Sequence, residues 1–499
     1  MNKSQALFES AFKAHHADDL AAAKTLYQKF LELDPTHAEA HNNLGVIFYK
    51  LNDFAAAQLQ YTTAINLQPD YLQAHLNLAM LWLRQGETTK ALQQFQQILQ
   101  LDPQSTVAHY QLGNLYLAQG EIDPAVSHYN TVLKIQPEHV ETLNNLGVAF
   151  LKQGRFDQAT AYFNQALQFA PMHTDARSNL AATFLQQDRL SDAIWHYQLF
   201  LRLVPEDSDA HYNLGVAFMA SGYLTEAIAE FEQVLKLMPT QVDACCNLGA
   251  IYLKMDNPQQ AIFYYRKAIA LRPKDVMVRY MLDALTQEGT PRTAPVEYIK
   301  NLFDNYAGYF DQHVTETLHY LTPQLIADSL VKYLPRVPVN WNVLDLGCGT
   351  GLSGVVFREI AKHLTGIDIS PRMLNKARAK NIYDELIESD IVTALAGLVA
   401  SYDLIIAADT LVYFGDLSAV FTGCACVLKL QGLLAFSVEV GKETDFQLQT
   451  TGRYTHSRMY IENLAKQHHF QILQSSEAAG RMQQGKPVSS FIFVLRKNQ

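Results

Sequence analysis

The first half of the chain carries a proline once every 34 residues, and this spacing leaves few folds open. The eight prolines in register are Pro35, Pro69, Pro103, Pro137, Pro171, Pro205, Pro239 and Pro273. Proline lacks a backbone N–H and clashes with a continuing helix, so each one ends a helical unit. A fixed period of this size indicates stacked copies of one unit, each burying its apolar face against its neighbours. The period therefore predicts an all-α solenoid over residues 1–273.

Small side chains recur at two further positions of the period. One set is Ala11, Gly45, Ala79, Gly113, Gly147, Ala181, Gly215 and Gly249, and the other is Ala23, Ala57, Ala91, Ala125, Ala159, Ala193, Ala227 and Ala261. Small residues belong where two helices approach closely. The whole pattern resembles the tetratricopeptide (TPR) repeat, which implies eight units of two antiparallel helices with a concave binding face.

An amide side chain recurs once in nearly every unit. The ladder consists of Asn43, Asn77, Gln111, Asn145, Asn179, Asn213 and Asn247. An amide both donates and accepts hydrogen bonds, so it can pair with the backbone of an extended peptide. The ladder resembles that of O-GlcNAc transferase repeats, which implies a protein or peptide partner on the concave face. Asparagine is also an ordinary residue at this TPR position, and that alternative stays open.

Four histidines recur two residues before ladder positions. They are His41, His75, His109 and His211. Neighbouring repeats are separated by at least one helix-packing distance, about 8–10 Å. Metal ligands sit at only about 2 Å from their ion. We therefore predict packing roles for these histidines and no metal site.

A different chemistry begins at Val343, where a short apolar run ends in alternating glycines. The segment Val-Leu-Asp-Leu-Gly-Cys-Gly-Thr-Gly, residues 343–351, indicates a buried strand followed by a loop that can approach a ligand closely. Leu352 stands where a dinucleotide fingerprint needs its third glycine, which disfavours NAD. The motif resembles the first motif of class I methyltransferases. That resemblance implies a seven-stranded Rossmann-like α/β domain that uses S-adenosylmethionine (SAM) and releases S-adenosylhomocysteine.

The remaining sequence fits such a domain over residues 341–499. Apolar segments alternate with helical ones, and we predict strands near 342–346, 364–368, 386–390, 403–408, 432–440, 469–474 and 489–496. The last two have no convincing helix between them. They suit the antiparallel hairpin that ends the class I methyltransferase sheet.

Candidate cofactor-binding residues stand at predicted carboxyl ends of strands, where open α/β sheets bind ligands. The resemblance implies that Asp368 accepts from the ribose hydroxyls, Asp390 from the adenine amino group, and that Asp409 borders the sulfonium. The loop amides suit the methionine carboxylate. The predicted set is Asp345, Gly347, Cys348, Gly349, Gly351, Asp368, Ile369, Asp390, Ile391 and Asp409. Each acid alone also fits a turn or helix cap, and Cys348 fits either a nucleophile or a packed small residue.

Two segments connect the halves. Residues 274–295 predict a capping helix followed by a Gly/Pro linker. Residues 296–340 contain Phe303-Asp-Asn-Tyr-Ala-Gly-Tyr-Phe-Asp311, which resembles the F-D-x-x-A-x-x-F-D lid that precedes many methyltransferase cores. The resemblance implies that Tyr306, and with it Tyr309 and His313, faces the reaction centre. Anchoring of the lid on the core is the alternative role.

Candidate catalytic residues follow the fifth predicted strand. The segment containing Arg453, Tyr454 and His456 resembles, together with the lid, predicted TPR-linked methyltransferases. We expect Arg453 to hold an anionic substrate and His456 to act as a base, with Tyr454 and Tyr306 nearby. A Tyr/His pair that stabilises a loop is the open alternative.

Composition limits the setting. The 499 residues have a net charge of -10, with 48% hydrophobic residues, which favours folded domains and gives no basic patch for nucleic acid. No apolar leader or window of about 20 apolar residues is present, so we expect a soluble cytoplasmic protein without membrane contact. Five cysteines without paired spacing indicate free thiols.

Three functions stay open from the sequence. The leading one is a SAM-dependent methyltransferase whose repeats recruit a protein or peptide. The second is a small-molecule O-methyltransferase, acting on a carboxylate or hydroxyl, whose repeats serve assembly. The third is a TPR adaptor with a SAM-binding domain that has no turnover. The sequence leaves the oligomeric state unknown.

Overall fold

The computed structural model describes residues 3–289, 291–334, 340–442, 445–483 and 486–498. The chain divides into two compact units, residues 1–239 and 240–499. The described part of unit 1 consists of consecutive helix pairs. Its helices are α1 (Lys3–His16), α2 (Leu20–Leu33), α3 (Ala38–Lys50), α4 (Phe54–Leu67), α5 (Leu72–Arg84), α6 (Thr88–Leu101), α7 (Thr106–Ala118), α8 (Ile122–Ile135), α9 (Val140–Lys152), α10 (Phe156–Phe169), α11 (Thr174–Gln186), α12 (Leu190–Leu201), α13 (Ser208–Ala220) and α14 (Leu224–Leu237).

The small residues of the period lie where the two helices of a pair touch. A Cβ added at Gly45 would stand 2.6 Å from Cε1 of Tyr61, and one at Gly113 would stand 2.5 Å from Cε1 of Tyr129. The alanines of the second set are fully buried, as Ala57 shows. The predicted TPR solenoid is confirmed, and an aromatic ring packs against each glycine of the first set.

The recurrent histidines tie the turns between repeats to the helices. Nε2 of His41, His109 and His211 lies 3.0, 3.1 and 3.0 Å from the carbonyl oxygen of the proline six residues earlier. Nδ1 reaches a side chain 19 residues further on, at 2.7 Å in the pair His41–Gln60. These contacts give the histidines the predicted packing role. Among the described residues, no group of three or more His, Cys, Asp or Glu side chains is arranged to hold a metal ion.

Unit 2 begins with one more helix pair and then changes to an α/β fold. Its helices are α15 (Val242–Lys254), α16 (Pro258–Leu271), α17 (Val276–Thr286), α18 (Val296–Tyr306), α19 (Phe310–Gln312), α20 (Thr322–Leu330), α21 (Leu352–Phe357), α22 (Pro371–Lys380), α23 (Ile391–Gly397), α24 (Ser418–Val427) and α25 (Arg458–Gln467). A π-helical turn spans His313–Thr317, and 3-10 turns span Val331–Tyr333, Arg358–Ile360 and Leu411–Tyr413. The predicted lid region, 296–340, includes residues 335–339, which lie outside the described part of the chain.

The described strands form one sheet. They are β1 (Trp341–Leu346), β2 (Ala361–Asp368), β3 (Glu385–Glu388), β4 (Tyr402–Ala407), β5 (Leu428–Val440), β6 (Phe446–Leu448), β7 (Tyr454–His456), β8 (Phe470–Gln483) and β9 (Lys486–Lys497). The order β3-β2-β1-β4-β5 is parallel, and β9 pairs antiparallel with β5 and with β8. This arrangement confirms the predicted Rossmann-like fold with a terminal hairpin.

Helices cover both faces of the sheet, as a mostly parallel sheet requires. Val343 packs on one face with Ile326 of α20 and Phe357 of α21. The next residue, Leu344, packs on the other face with residues of α23, α24 and α25. The alternation places β1 in the centre of two cores, so the loop that follows it starts from a rigid strand.

Two strands were missed by the prediction of seven. β6 and β7 have only three residues each and pair antiparallel. Segments this short have no readable alternation, so hydrophobic periodicity could not find them. Their turn matters, because it carries Arg453 next to the end of β5.

The capping helix and linker are attached to the α/β domain within unit 2. Tyr280 of α17 donates to the carbonyl of Gly452 at 2.8 Å, and the linker residue Ala294 donates its amide to the carbonyl of Tyr413 at 2.9 Å. Thr293 forms a β-bridge with Phe414. The segment that joins the repeats to the α/β domain therefore packs as part of that domain. No helix in the described ranges is long and apolar enough to span a bilayer.

The aromatic–glycine contacts predict a graded response to alanine. Gly113→Ala should destabilise the full chain by about 1–3 kcal/mol, because the added methyl overlaps the ring of Tyr129. Gly215→Ala should cost less, since its nearest ring atoms, on Phe231, stand at 3.0 Å instead of 2.5 Å. Urea unfolding followed by circular dichroism measures the difference. Equal effects at the two positions would contradict the steric explanation.

Candidate functional site

A cavity of about 280 Å³ opens at the carboxyl ends of the strands. Its walls come from three sources: the glycine loop after β1, the ends of β2, β3 and β4, and the lid formed by α18, α19 and the following turns. The linker contributes Thr293 and Ala294. All of the predicted cofactor-binding residues line it except Asp345 and Gly351.

The glycine loop is held in a shape that requires glycine. Gly347, Gly349 and Gly351 have φ of 69°, 55° and 94°, in the left-handed region that other residues avoid. The amides of Gly347 and Cys348 both donate to the carbonyl of Ile367, at 2.8 and 2.9 Å. A Cβ at Gly349 would meet nothing within 4 Å. The loop therefore presents open backbone to the cavity.

Cys348 packs under this loop. The residue is 4% exposed, and a Cβ on Gly366 would stand 2.8 Å from its sulfur. Burial, with help from the carboxylates of Asp345 and Asp368, raises the pKa of the thiol well above its usual value. A protonated, packed thiol favours the structural alternative over a nucleophile.

Asp368 connects the glycine loop to the second strand. Its carboxylate accepts the amide of Gly349 at 2.9 Å and that of Ser370 at 2.8 Å. Burial raises the pKa of this carboxyl, and the amides of Ser370, Gly349 and Ile369 oppose the rise. The side chain is 9% exposed and lines the cavity, so its remaining lone pairs can accept from a ligand.

Asp345 lies behind the loop rather than facing the cavity. It is fully buried, and its Oδ2 accepts from the hydroxyl of Tyr383 at 2.7 Å, while Oδ1 has no hydrogen-bond partner among the described residues. Burial raises the pKa of Asp345 to about 7, although the Tyr383 hydroxyl lowers it. This placement makes Asp345 a support for the loop.

Asp390 caps a helix and also lines the cavity. Its Oδ1 accepts the amide of Thr393 at 3.0 Å, which starts α23. Ile391 and Ile369 line the same region as apolar walls. Asp390 is therefore a helix cap, as the sequence allowed, and its second carboxylate oxygen stays available for a ligand.

Two aspartates of the lid motif dock the lid on the domain. Ser370 donates its hydroxyl to Asp304 at 2.6 Å. Thr350 of the glycine loop donates its hydroxyl to Asp311, whose other oxygen pairs with Lys380 at 2.7 Å. Both aspartates thus attach the lid to the glycine loop and to α22.

The lid aromatics divide between the cavity and the surface. Tyr306 lines the cavity together with Phe303 and Phe310, whereas Tyr309 is 59% exposed. The hydroxyl of Tyr306 is hydrogen-bonded to Nδ1 of His313, which does not line the cavity. Burial raises the pKa of Tyr306 to about 12. Of the three candidates, the structure brings only Tyr306 to the cavity wall.

Four charged side chains gather at the other end of the cavity. Glu439 Oε1 accepts from Arg481 Nη2 at 2.8 Å and lies 2.7 Å from Arg453 Nε. Asp409 Oδ2 lies further away, 3.8 Å from Arg453 Nη2 and 3.5 Å from Arg481 Nε. Burial raises the pKa of Asp409, and the two arginines offset part of that rise. Asp409, Arg453 and Arg481 all line the cavity.

His456 and Tyr454 do not line the cavity. His456 is fully buried, with Nε2 3.1 Å from the carbonyl oxygen of Gly415, and burial lowers the pKa of its ring to about 4. Tyr454 is also buried, and its hydroxyl donates to the carbonyl of Pro291 at 2.8 Å. The expected catalytic roles of both do not fit these positions. Both side chains brace the loop and linker, the alternative that the sequence left open.

The amide ladder is half-buried and hydrogen-bonded between repeats. Asn77 Nδ2 donates to Asn42 Oδ1 at 2.8 Å, and Asn179 Nδ2 donates to Asn144 Oδ1 at 3.0 Å. Asn145 donates to Asn114 Oδ1 at 2.8 Å. These bonds link successive repeats, so the ladder has a structural use besides the predicted peptide contact, which stays a prediction.

Sequence reasoning missed Arg481 and Glu439. Glu439 stands in the mostly apolar strand β5 and Arg481 in the mixed strand β8, and the pairing of both strands with β9 brings them together. For Glu439 the available signal was a charged residue at the end of an apolar run. The lid aspartates were quoted only as part of a motif, without the docking contacts that they make.

Three family models match the chain. The Cilia and flagella-associated protein 70 C-terminal domain matches residues 70–279, the Tetratricopeptide repeat matches residues 26–59, and the Methyltransferase domain matches residues 343–432. Human methyltransferase-like protein 27 is 39% identical over 87 residues, or 17% of this chain and 35% of that protein. The chain therefore joins TPR repeats to a methyltransferase domain.

Two further similarities are more distant. A ubiquinone biosynthesis O-methyltransferase of Xylella fastidiosa (strain 9a5c) is 29% identical over 165 residues, or 31% of this chain and 65% of that enzyme. The chain thus spans less than two thirds of these curated relatives. The structure of YrrB, described as a TPR protein with an unusual peptide-binding site, is 20% identical and covers 37% of this chain and 96% of its own. Its TM-score of 0.35 is too low for any inference.

The buried carboxyl of Asp345 predicts a pH-dependent stability. Between about pH 4 and pH 7 the folded protein keeps a proton that the unfolded chain has released, so this group's contribution to the free energy of unfolding falls as pH rises. Asp345→Asn should remove that fall, which is at most about 1.4 kcal/mol per pH unit. Urea unfolding of both proteins between about pH 4.5 and pH 8 measures this pH dependence. That is the range in which a carboxyl whose pKa is raised by burial titrates. Tyr383→Phe should extend the fall above pH 7, because the Tyr383 hydroxyl lowers the pKa of Asp345. Parallel stability profiles of wild type and Asp345→Asn would contradict the prediction.

Proposed function

We propose that this chain is a SAM-dependent methyltransferase that transfers the methyl group inside the cavity beneath the lid. The observation that carries the proposal is a single cavity with two different ends. One end has the open glycine loop and Asp368, and the other has aromatic lid residues with Arg453 and Arg481. A cofactor and an acceptor bound at these ends would meet between them.

The residues at the first end fit SAM. Asp368 keeps lone pairs for the ribose hydroxyls, although it already accepts two amides. Asp390, Ile391 and Ile369 would surround the adenine, and the backbone at Gly349 leaves room for the methionine part. SAM supplies a methyl group on a sulfonium, which is already a good leaving group.

The chain's own contribution is positioning and exclusion of water. In-line displacement gains most from holding the two reactants in the right geometry. The docking of Asp304 and Asp311 fixes the lid above the glycine loop, and Phe303, Tyr306 and Phe310 make the inner surface aromatic. An aromatic wall also suits a sulfonium cation.

The repeats give the enzyme its second proposed property, recruitment of a protein or peptide that is the acceptor or carries it. Support comes from the solenoid, whose stacked units offer an extended surface. A small-molecule acceptor is the runner-up, with the repeats used for assembly. The small size of the cavity is compatible with both acceptors.

Asp368→Ala should weaken SAM binding at least about tenfold, because it removes a charged hydrogen-bond acceptor. Calorimetry of SAM with the full chain measures the change. Glu385→Ala, an acid exposed on β3 at the sheet edge, is the matched control and should leave the affinity unchanged. Since Asp368 also holds the loop, a melting curve must show that the variant is folded. Unchanged affinity in a folded Asp368→Ala protein would remove the ribose assignment.

Deleting residues 1–239 should separate recruitment from chemistry. A cut at residue 289 would strip α17, and Tyr280 with it, from the core that holds Tyr454 and Tyr413, so it would damage the site itself. The cut at 239 keeps unit 2 complete. We expect SAM binding to persist and transfer of labelled methyl to proteins in a cell extract to fall. Undiminished labelling of proteins would refute recruitment, and label confined to small molecules would support the runner-up.

A further inference from the structure

We propose that the methyl acceptor is a carboxylate, held by Arg453 and Arg481 at the floor of the cavity. This inference rests on the proposed methyltransferase function and names its substrate class. It starts from two arginines that line the cavity and whose buried N–H groups are incompletely hydrogen-bonded. Arg453 Nη2 and Arg481 Nε are buried and have no hydrogen-bond partner in the described part of the chain.

The distances show which of these donors lack a close acceptor. Glu439 forms an ion pair with Arg453, with 2.7 Å between Oε1 and Nε. Asp409 is nearest to the other two groups, at 3.8 and 3.5 Å, beyond hydrogen-bonding distance. Arg481 is only 9% exposed. Buried cations that are incompletely hydrogen-bonded cost free energy, so a ligand that supplies acceptor oxygens to these guanidiniums would recover part of it.

Both arginines are held in place from outside the cavity. Arg481 follows Gly480, whose carbonyl accepts the amide of Leu321 at 2.9 Å. Arg453 stands in the β6–β7 turn, where Gly452 accepts from Tyr280, and its guanidinium lies over the ring of Tyr413, 5.5 Å from the centroid. A guanidinium fixed in this way presents its planar fork for bidentate pairing with a carboxylate.

The charges favour an anionic acceptor once the cofactor is counted. Two guanidiniums balance the carboxylates of Asp409 and Glu439. The sulfonium of SAM would add one positive charge at this end of the cavity. A carboxylate would restore neutrality, whereas a protonated amine would add a second uncompensated positive charge in a poorly solvated place.

The absence of a suitable base points the same way. A hydroxyl acceptor must lose its proton, which calls for a base near neutral pH. Among the described residues no histidine lines the cavity. Tyr306 has its pKa raised to about 12 by burial. Burial also raises the pKa of Asp409, but the positive charges of Arg453 and Arg481 offset part of that rise. An ionised carboxylate needs no base.

The step balances without another reagent. A carboxylate oxygen donates a lone pair to the methyl carbon, the carbon–oxygen bond forms and the carbon–sulfur bond breaks. The bonding pair stays on sulfur. SAM becomes S-adenosylhomocysteine, the acceptor becomes a methyl ester, and no proton is taken up or released. The inner aromatic residues would pack against the apolar part of the acid.

Binding of benzoate and benzamide tests the subsite without turnover. Calorimetry uses the full chain saturated with sinefungin, a SAM analogue that carries a protonated amine in place of the methylsulfonium and cannot transfer a methyl group. We expect benzoate to bind at least about tenfold more tightly than benzamide, which has the same shape without the charge. This preference should fall severalfold in Arg453→Lys and in Arg481→Lys, because lysine keeps the charge but loses the bidentate geometry. The lysine variants keep the charge next to Glu439 and should fold. Equal affinities, or no benzoate binding, would overturn the proposal.

Two controls separate this outcome from failure of the proposed function. Arg458→Lys, at an exposed pair with Glu462, should leave the benzoate preference intact. Affinity for SAM should be the same in wild type, Arg453→Lys and Arg481→Lys. If wild type does not bind SAM, the proposed function fails. If SAM binds and benzoate shows no preference, only the acceptor class fails.

The chemistry of the product gives a second test. Wild type is incubated with methyl-labelled SAM and fractionated cell extract, and the product is treated with mild alkali. A methyl ester releases labelled methanol, whereas methyl groups on nitrogen or in an ether stay attached. Release from the low-mass fraction identifies a small acid, and release from the protein fraction identifies a protein carboxylate. Alkali-stable label would overturn the proposal.

Discussion

The carboxylate of Glu439 is the interaction on which the cavity floor depends. It lies near the carboxyl end of β5 and contacts Arg453 in the β6–β7 turn and Arg481 in β8. Burying charges in a protein is expensive unless each finds a partner, and removing one partner costs more than the pair gains. Three separate elements are therefore held in one arrangement, and that arrangement sets the shape of this end of the cavity.

A second constraint comes from the segment between the repeats and the methyltransferase domain. α17 packs its Tyr280 into a core with Tyr454 and Tyr413, and the linker pairs with residues 413–416. Tyr413 and Arg453 line the cavity. Both are therefore supported by the predicted capping helix and linker. The linker is part of the cavity wall, so a change in its packing would alter the end of the cavity that Tyr413 and Arg453 line.

The sequence predicted correctly those parts of the structure that depend on short-range patterns. The proline period and the small residues repeat every 34 positions, because each helix pair makes the same contacts as the last, so the solenoid could be read from the chain. The glycine loop was equally readable, since Gly347, Gly349 and Gly351 need positive φ. Asp368, Asp390 and Asp409 follow strand ends, which places them at one edge of the sheet.

The role predicted for His456 and the omission of Arg481 have a different cause, because both depend on strand register and on side-chain direction. His456 follows Arg453 by three residues, yet its ring turns into the core while the guanidinium turns to the cavity. β7 is too short for periodicity to assign its faces. Arg481 reaches the site only because β8 pairs with β9 and β9 pairs with β5. Sequence spacing contains neither relation.

The size of the cavity limits how recruitment and chemistry can work together. SAM would take up part of the cavity of about 280 Å³, so the remaining space admits a small acid or a single extended side chain or chain end, and excludes a folded segment. The lid is fastened by Asp304 and Asp311 to the glycine loop and α22, so entry requires the acceptor to be slender or the lid to release these contacts. A protein held by the repeats would therefore have to offer a flexible end or a carried small acid. The buried arginines would then select the carboxylate, and the repeats would select its bearer.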